Sequence, residues 1–180
     1  HRAIDGMIAL VKESRFRPTD VNNIEIKGGS MTPKVLIHSR PTTGLEGKFS
    51  MQYCMSAAII DNRVGLETFT DSMVNRPEAQ ELLRKVDLVT YSPSEEGNVR
   101  LIDGLPDIVS VRLKNGKELK KEVKYPKGSP QDPLSREQLM GKFIDCSKLV
   151  LPSRKVEEAA ELITKIDKLG GISELMKILV

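Results

Sequence analysis

The sequence predicts an α+β fold: a small, mainly antiparallel sheet with a β-hairpin, covered by helices. Three observations carry this. Apolar residues recur at helical spacing at both ends of the chain. A strict alternation with an Asn115-Gly116 turn marks one hairpin. The remaining strand signals are isolated rather than woven into regular strand–helix–strand units. An apolar content of 39% beside 29% charged residues suffices for a core. With no Trp and only 4% aromatics, that core is aliphatic and Met-rich.

His1 to Ser14 reads as a helix that buries Ile4, Met7, Ile8 and Val11, and Arg17-Pro18-Thr19-Asp20 breaks it. Val21 to Lys27 alternates as a strand, with Val21, Ile24 and Ile26 inward, and Gly28-Gly29-Ser30 ends it. Val35-Leu36-Ile37 is a short apolar run that fits strand or loop. Gly47 to Asp61 reads as one helix, apolar around most of its circumference, and such a helix is buried on more than one side. Phe69 to Met73 suggests a helical turn. Pro77 opens a further helix with Ala79, Leu82, Leu83 and Val86 inward. Asp87 to Tyr91 is a strand, and Asp107 to Tyr125 is the hairpin. The proline-rich run from Tyr125 to Pro133 is a loop. Ser135 and Gln138 form a capping box for a helix to Lys148. Ser153 caps the next, Arg154 to Lys168, with Val156, Ala159, Ala160, Ile163 and Ile166 inward. Ile172 to Val180 closes the chain as a short helix.

Composition narrows function by exclusion. A net charge of +3 does not call for nucleic acid. The six lysines between Lys114 and Lys127 interleave with Glu118 and Glu122, which reads as a guarded sheet edge rather than a binding patch. Two cysteines, Cys54 and Cys146, are too few for a disulfide framework and read as buried free thiols of a cytoplasmic protein. No apolar run reaches membrane-spanning length, so neither a membrane nor a nucleic acid is an expected partner. Only His1 and His38 are histidines, and no paired spacing of metal ligands occurs. Gly28-Gly29-Ser30 lacks the Lys-Ser/Thr of a phosphate loop. A chain of 180 residues that starts with His1, inside an apolar helical pattern, reads as part of a longer polypeptide.

Chemistry is concentrated at few positions. His1 heads a helix, where the positive dipole end favours the neutral, base-competent imidazole. The alternative is a frayed terminal residue. Lys48 and Tyr53 lie near the start of the helix read from Gly47, where a cation and a phenol suit a carboxylate-bearing substrate. The alternatives are a surface lysine and a core tyrosine with its hydroxyl satisfied.

The order of motifs then becomes informative. His1-Arg2-Ala3-Ile4-Asp5 is followed by Pro41-Thr42-Thr43-Gly44-Leu45-Glu46-Gly47-Lys48-Phe49-Ser50-Met51-Gln52-Tyr53, then Gly128-Ser129-Pro130-Gln131-Asp132-Pro133, then Lys142-Phe143. This resembles the C-terminal part of the MmgE/PrpD family, which includes 2-methylcitrate dehydratase, cis-aconitate decarboxylase and iminodisuccinate epimerase. The resemblance implies that residues 1–180 form the smaller, lid-like α+β domain of a two-domain protein. Its partner would be an N-terminal all-helical domain, absent here, with the active site in the cleft between them. It implies lyase or isomerase chemistry beside a carboxylate of a small di- or tricarboxylic acid, with 2-methylcitrate dehydration and propionate metabolism as the specific expectation. It implies no cofactor and no metal, and a homodimer for the full-length protein. Matched position by position, His1 and Tyr53 are the catalytic expectations and Lys48 the substrate-binding one. A non-catalytic α+β interaction or small-molecule binding module is the competing reading.

Overall fold

Four strands hydrogen-bond in the order β2-β1-β3-β4. The strands are β1 Val21–Gly28, β2 Val86–Thr90, β3 Asp107–Leu113 and β4 Glu118–Val123, in a computed structural model that describes residues 1–97 and 104–179. β1–β3 and β3–β4 are antiparallel, as the hairpin predicts, with Val111 opposite both Ile24 and Leu119. β2 joins β1 in parallel, with Ile24 opposite Val86. The sheet is therefore mixed, because the helical segments between β1 and β2 return the chain to the same end of the sheet. The class is α+β.

β1 shows how the alternation survives an irregular spacing. Val21 and Ile24 are three residues apart and would face opposite sides of a regular strand. A register shift between Val21 and Asn23 absorbs the extra residue, so Val21, Ile24 and Ile26 are all fully buried. Val109, Val111 and Leu113 of β3 and Leu119 of β4 complete the inward face. The helix α1, Arg2–Ser14, crosses β3 and β4 and buries Ala3, Met7, Leu10 and Val11. Gly6 lets it come close: a Cβ there would meet Val109 Cγ2 at 3.0 Å and Val123 Cγ2 at 3.1 Å.

The run expected as one helix from Gly47 to Asp61 is two. After the single turn α2, Thr32–Val35, comes α3, Gly44–Lys48, capped by the Thr43 side chain, which accepts from the Glu46 N–H. The chain leaves helical geometry at Phe49 and Ser50, and α4, Met51–Asp61, begins anew with the Ser50 hydroxyl accepting from the Tyr53 N–H at 3.1 Å. Serine offers the backbone a side-chain acceptor in place of a carbonyl, and here that competition ends one helix and starts another. α4 is buried on nearly all sides: Met51, Cys54, Met55, Ala58 and Ile59 enter the main core, and Tyr53 and Ala57 a second one with Val74 and Ala79. The short helices α5, Asp71–Val74, and α6, Pro77–Leu82, follow, and α7, Pro93–Glu96, succeeds β2.

Residues His1–Asp132 form one compact unit and Pro133–Val180 a second, where the sequence suggests a single domain. The second unit is helical: α8 Arg136–Ser147, α9 Ser153–Thr164 and α10 Ser173–Leu179. Its capping box is present, with the Ser135 hydroxyl accepting from the Gln138 N–H and the Gln138 side chain accepting from the Ser135 N–H. α9 departs from expectation at both ends. Pro152 rather than Ser153 is its N-cap, and it stops at Thr164, so Ile163 and Ile166 are exposed while Val156, Ala159 and Ala160 are buried. The expected end of α10 at Val180 lies outside the described residues. No helix among the described residues is long and apolar enough to cross a membrane.

Candidate active site

Within the first unit, the N-terminus of α1, the turn α2 and the α3–α4 junction enclose a cavity of about 560 Å³. His1, Arg2, Thr32, Lys48 and Asp107 supply its polar lining, and Met31, Val35, Leu36, Phe49 and Met51 its apolar walls. His1 and Lys48, far apart in sequence, are thus brought to one cavity. His1 is the N-cap residue of α1 but makes no side-chain cap bond, so its imidazole is not committed to its own helix. Lys48 sits in the last turn of α3, not the first turn of a helix as expected, and its ammonium has no ion-pair partner among the described residues. Its own helix turns its negative end towards Lys48, whereas the starts of α1 and α4 lie at the same cavity.

Tyr53 lies elsewhere. Two residues on from Met51, it is turned ~200° around α4, away from the cavity that Met51 and Cys54 line. Its ring is fully buried, edge-on to Phe69 with centroids 6.2 Å apart. Its phenol donates to the Thr68 carbonyl at 2.6 Å. Burial pushes its pKa up, against a smaller opposing effect of Arg76. The structure does not bring Tyr53 to His1 and Lys48.

Cys54 is the buried thiol at the cavity wall. Burial pushes it up to about 11, so it is protonated at neutral pH and no nucleophile, and it points at the Gly47 carbonyl 3.7 Å away. Cys146, expected to be buried, is exposed on α8. His38 is outside the cavity, its N–H bound to the Phe49 carbonyl at 3.1 Å. No three His, Cys, Asp or Glu side chains gather as a metal site among the described residues. Of the six lysines from Lys114 to Lys127, three are paired: Lys121 with Glu13, Lys120 with Glu122 and Lys127 with Asp132.

Two lining residues escaped the sequence reading. Arg2 donates to the Leu105 carbonyl at 2.9 Å and lies 3.1 Å from Asp107 Oδ1. Asp107 is only 8% exposed, and burial pushes its carboxyl up while Arg2 opposes the shift. A signal for Asp107 existed: it is in phase with Val109, Val111 and Leu113, so the alternation places a carboxylate on the core face.

The MmgE/PrpD C-terminal domain family matches residues 1–168. The chain is 30% identical to cis-aconitate decarboxylase of Homo sapiens over 173 residues, 94% of this chain and 34% of that protein. It is 30% identical to the Mus musculus cis-aconitate decarboxylase over 139 residues, covering 77% and 28% respectively. A cis-aconitate decarboxylase of Aspergillus terreus is 30% identical over 146 residues, covering 78% and 28%. The chain thus spans about a third or less of the length of these relatives.

Proposed function

Because the chain belongs to the MmgE/PrpD family, whose C-terminal domain it matches over residues 1–168, we propose that it supplies one wall of the active site of a cofactor-independent lyase for small di- or tricarboxylates. The observation that carries this reading is that His1, which makes no side-chain cap bond, and Lys48, which has no ion-pair partner among the described residues, line one cavity. Lys48 binds a substrate carboxylate, and the imidazole of His1 moves a proton at the carbon beside it or at the departing oxygen. Arg2 is balanced by the Asp107 carboxylate 3.1 Å away, so Lys48 supplies the positive potential that favours the enolate-like state. Tyr53 supports the wall from behind. An N-terminal helical domain supplies the facing side of the cleft, in a cytoplasmic homodimer.

Two reactions fit this chemistry. In dehydration of 2-methylcitrate, a proton leaves carbon and hydroxide leaves with a proton. The apolar wall of Met31, Val35 and Leu36, which would receive a methyl branch, favours it. In decarboxylation of cis-aconitate, carbon dioxide leaves and a proton is added to carbon; the names of the relatives favour it. The test is turnover by the full-length protein, dialysed against EDTA, on 2-methylcitrate, citrate, cis-aconitate and iminodisuccinate. Water loss from 2-methylcitrate supports the first reading and carbon dioxide release from cis-aconitate the second. Binding of these acids without any turnover would leave a non-catalytic binding module.

A further inference from the structure

We propose that Asp71 is the positioning residue for Lys48: reaching across from α5, its carboxylate holds the first residue of α3 and so sets where the ammonium enters the cavity. This rests on the reading of Lys48 as the carboxylate-binding residue. A helix of five residues such as α3 does not hold itself in water. Its own caps shape it without placing it. The Thr43 hydroxyl accepts from the Glu46 N–H at 3.3 Å, and the Glu46 carboxylate accepts from the Thr42 N–H at 2.7 Å. Both bonds stay within the segment. The Asp71 carboxylate reaches outside its own: its Oδ1 accepts from the Gly44 N–H at 2.7 Å, 27 residues away in sequence. A carboxylate on a backbone N–H makes a short, charge-assisted bond.

Two neighbours tie the loop before α3 in the same way. The Asn75 amide donates to the Thr42 carbonyl at 2.7 Å and to the Asp71 carbonyl at 2.8 Å. The Gln80 amide on α6 donates to the Pro41 carbonyl at 3.0 Å and to the Val74 carbonyl at 2.9 Å. Of these three side chains, Asp71 is the one that grips α3 itself. Glycine permits the approach: a Cβ at Gly44 would collide with the Phe69 carbonyl, and one at Gly47 would stand 2.9 Å from Val74 Cγ2. α5 is in turn fixed, because Val74 is fully buried with Tyr53, Ala57 and Ala79. The Thr70 hydroxyl caps α5 by accepting from the Met73 N–H, so the Asp71 carboxylate is not spent on its own helix. At the far end of α3 the His38 N–H donates to the Phe49 carbonyl. That backbone bond survives any side-chain change, which leaves Asp71 as the tie a substitution can release. Lys48 lines the cavity and Asp71 does not, so Asp71 acts on a substrate through Lys48.

The experiment compares Asp71→Ala and Asp71→Asn in the full-length protein, each alone and combined with Lys48→Met. Ala removes the acceptor, whereas the amide oxygen of Asn still accepts from the Gly44 N–H without the charge. Asp71→Ala should raise KM about fivefold with kcat within about twofold, and Asp71→Asn should stay within about twofold of the wild type. In the Lys48→Met background Asp71→Ala should add less than about twofold, because both changes then act on one interaction. Independently of activity, amide exchange at Gly44 should accelerate in Asp71→Ala and not in Asp71→Asn. An equal rise in KM from Asp71→Ala in both backgrounds would overturn the proposal and leave Lys48 as the binding residue. Unchanged Gly44 exchange in Asp71→Ala would do the same. An unchanged KM in Lys48→Met would overturn the reading of Lys48 and the proposal with it. A wild-type protein inert towards every acid tested would overturn the lyase reading alone. The same comparisons, read as Kd for citrate by calorimetry, would then still decide whether Asp71 acts through Lys48.

Discussion

The phenol of Tyr53 donates to the backbone carbonyl of Thr68 at 2.6 Å, and this bond ties α4 to the loop before α5 rather than to the cavity. Removing the hydroxyl leaves a buried carbonyl without its partner. Tyr53→Phe is therefore expected to cost about 1–3 kcal/mol of folding stability, read from denaturant or thermal unfolding, while kcat of the folded protein stays within about threefold. A loss of about 100-fold in kcat at unchanged stability would instead place the phenol in proton transfer.

His1 and Lys48 should separate in their kinetics. On the proposed proton-transfer role, His1→Gln should lower kcat by about 100-fold or more. On the proposed carboxylate-binding role, Lys48→Met should act mainly on KM, raising it about tenfold. Lys48→Arg keeps the charge and should recover part of it. Steady-state rates on the carboxylate that the full-length protein turns over measure both.

The two thiols should differ sharply in reactivity. Cys146 is exposed, whereas Cys54 is buried and held up to about 11. Iodoacetamide at neutral pH should label Cys146 within minutes and Cys54 only on unfolding, read by peptide mass spectrometry. The same shift has a stability consequence. A folded pKa above the ordinary value of 9.0 means that the folded state holds the thiol proton more tightly. Its contribution is intact below pH ~9 and is lost as pH rises towards ~11. Cys54→Ser should flatten that alkaline decline.

An acid-side counterpart lies at Glu95. The Lys27 ammonium, 2.8 Å away, together with the Ser92 N–H and hydroxyl, pulls its carboxyl down to about 2. A depressed carboxyl stabilises the fold above its unfolded pKa, here near 4.5, and that contribution disappears as pH falls towards about 2. Thermal unfolding followed across this window should show a shallower fall for Glu95→Gln than for the wild type. Identical slopes would mean that the Lys27–Glu95 contact does not persist in solution.

What could be read from the sequence divides along physical lines. Alternation and the Asn115-Gly116 turn gave β3 and β4 because both signals are local, and Gly116 indeed takes a φ of 87°. The parallel pairing of β2 was invisible, since it depends on where several short helices deliver the chain rather than on any residue in β2. The α3–α4 break was visible in principle: Ser50 followed by Tyr53 is a cap pattern, but the apolar run around it reads as continuous helix. Of the site, His1 and Lys48 followed from residue order and family resemblance. Tyr53 followed from the same resemblance, and the structure packs its ring with Ala57, Val74 and Ala79, the arrangement of a core tyrosine with its hydroxyl satisfied. The phase of Asp107 with Val109 marked a carboxylate on the core face, but its approach to Arg2 needed the tertiary structure.

The interruption at Phe49 and Ser50 has a consequence for how such a protein can diversify. Lys48 is carried by a one-turn helix with its own start and stop, while α4 begins independently behind it. Gly44 and Gly47 are fixed by close packing, since a Cβ at Gly47 would stand 3.0 Å from Tyr53 Cδ1, whereas the exposed Leu45 and Lys48 can change without touching the buried rows of α4. The seam separates an exposed cation from the helix whose buried rows hold two cores together.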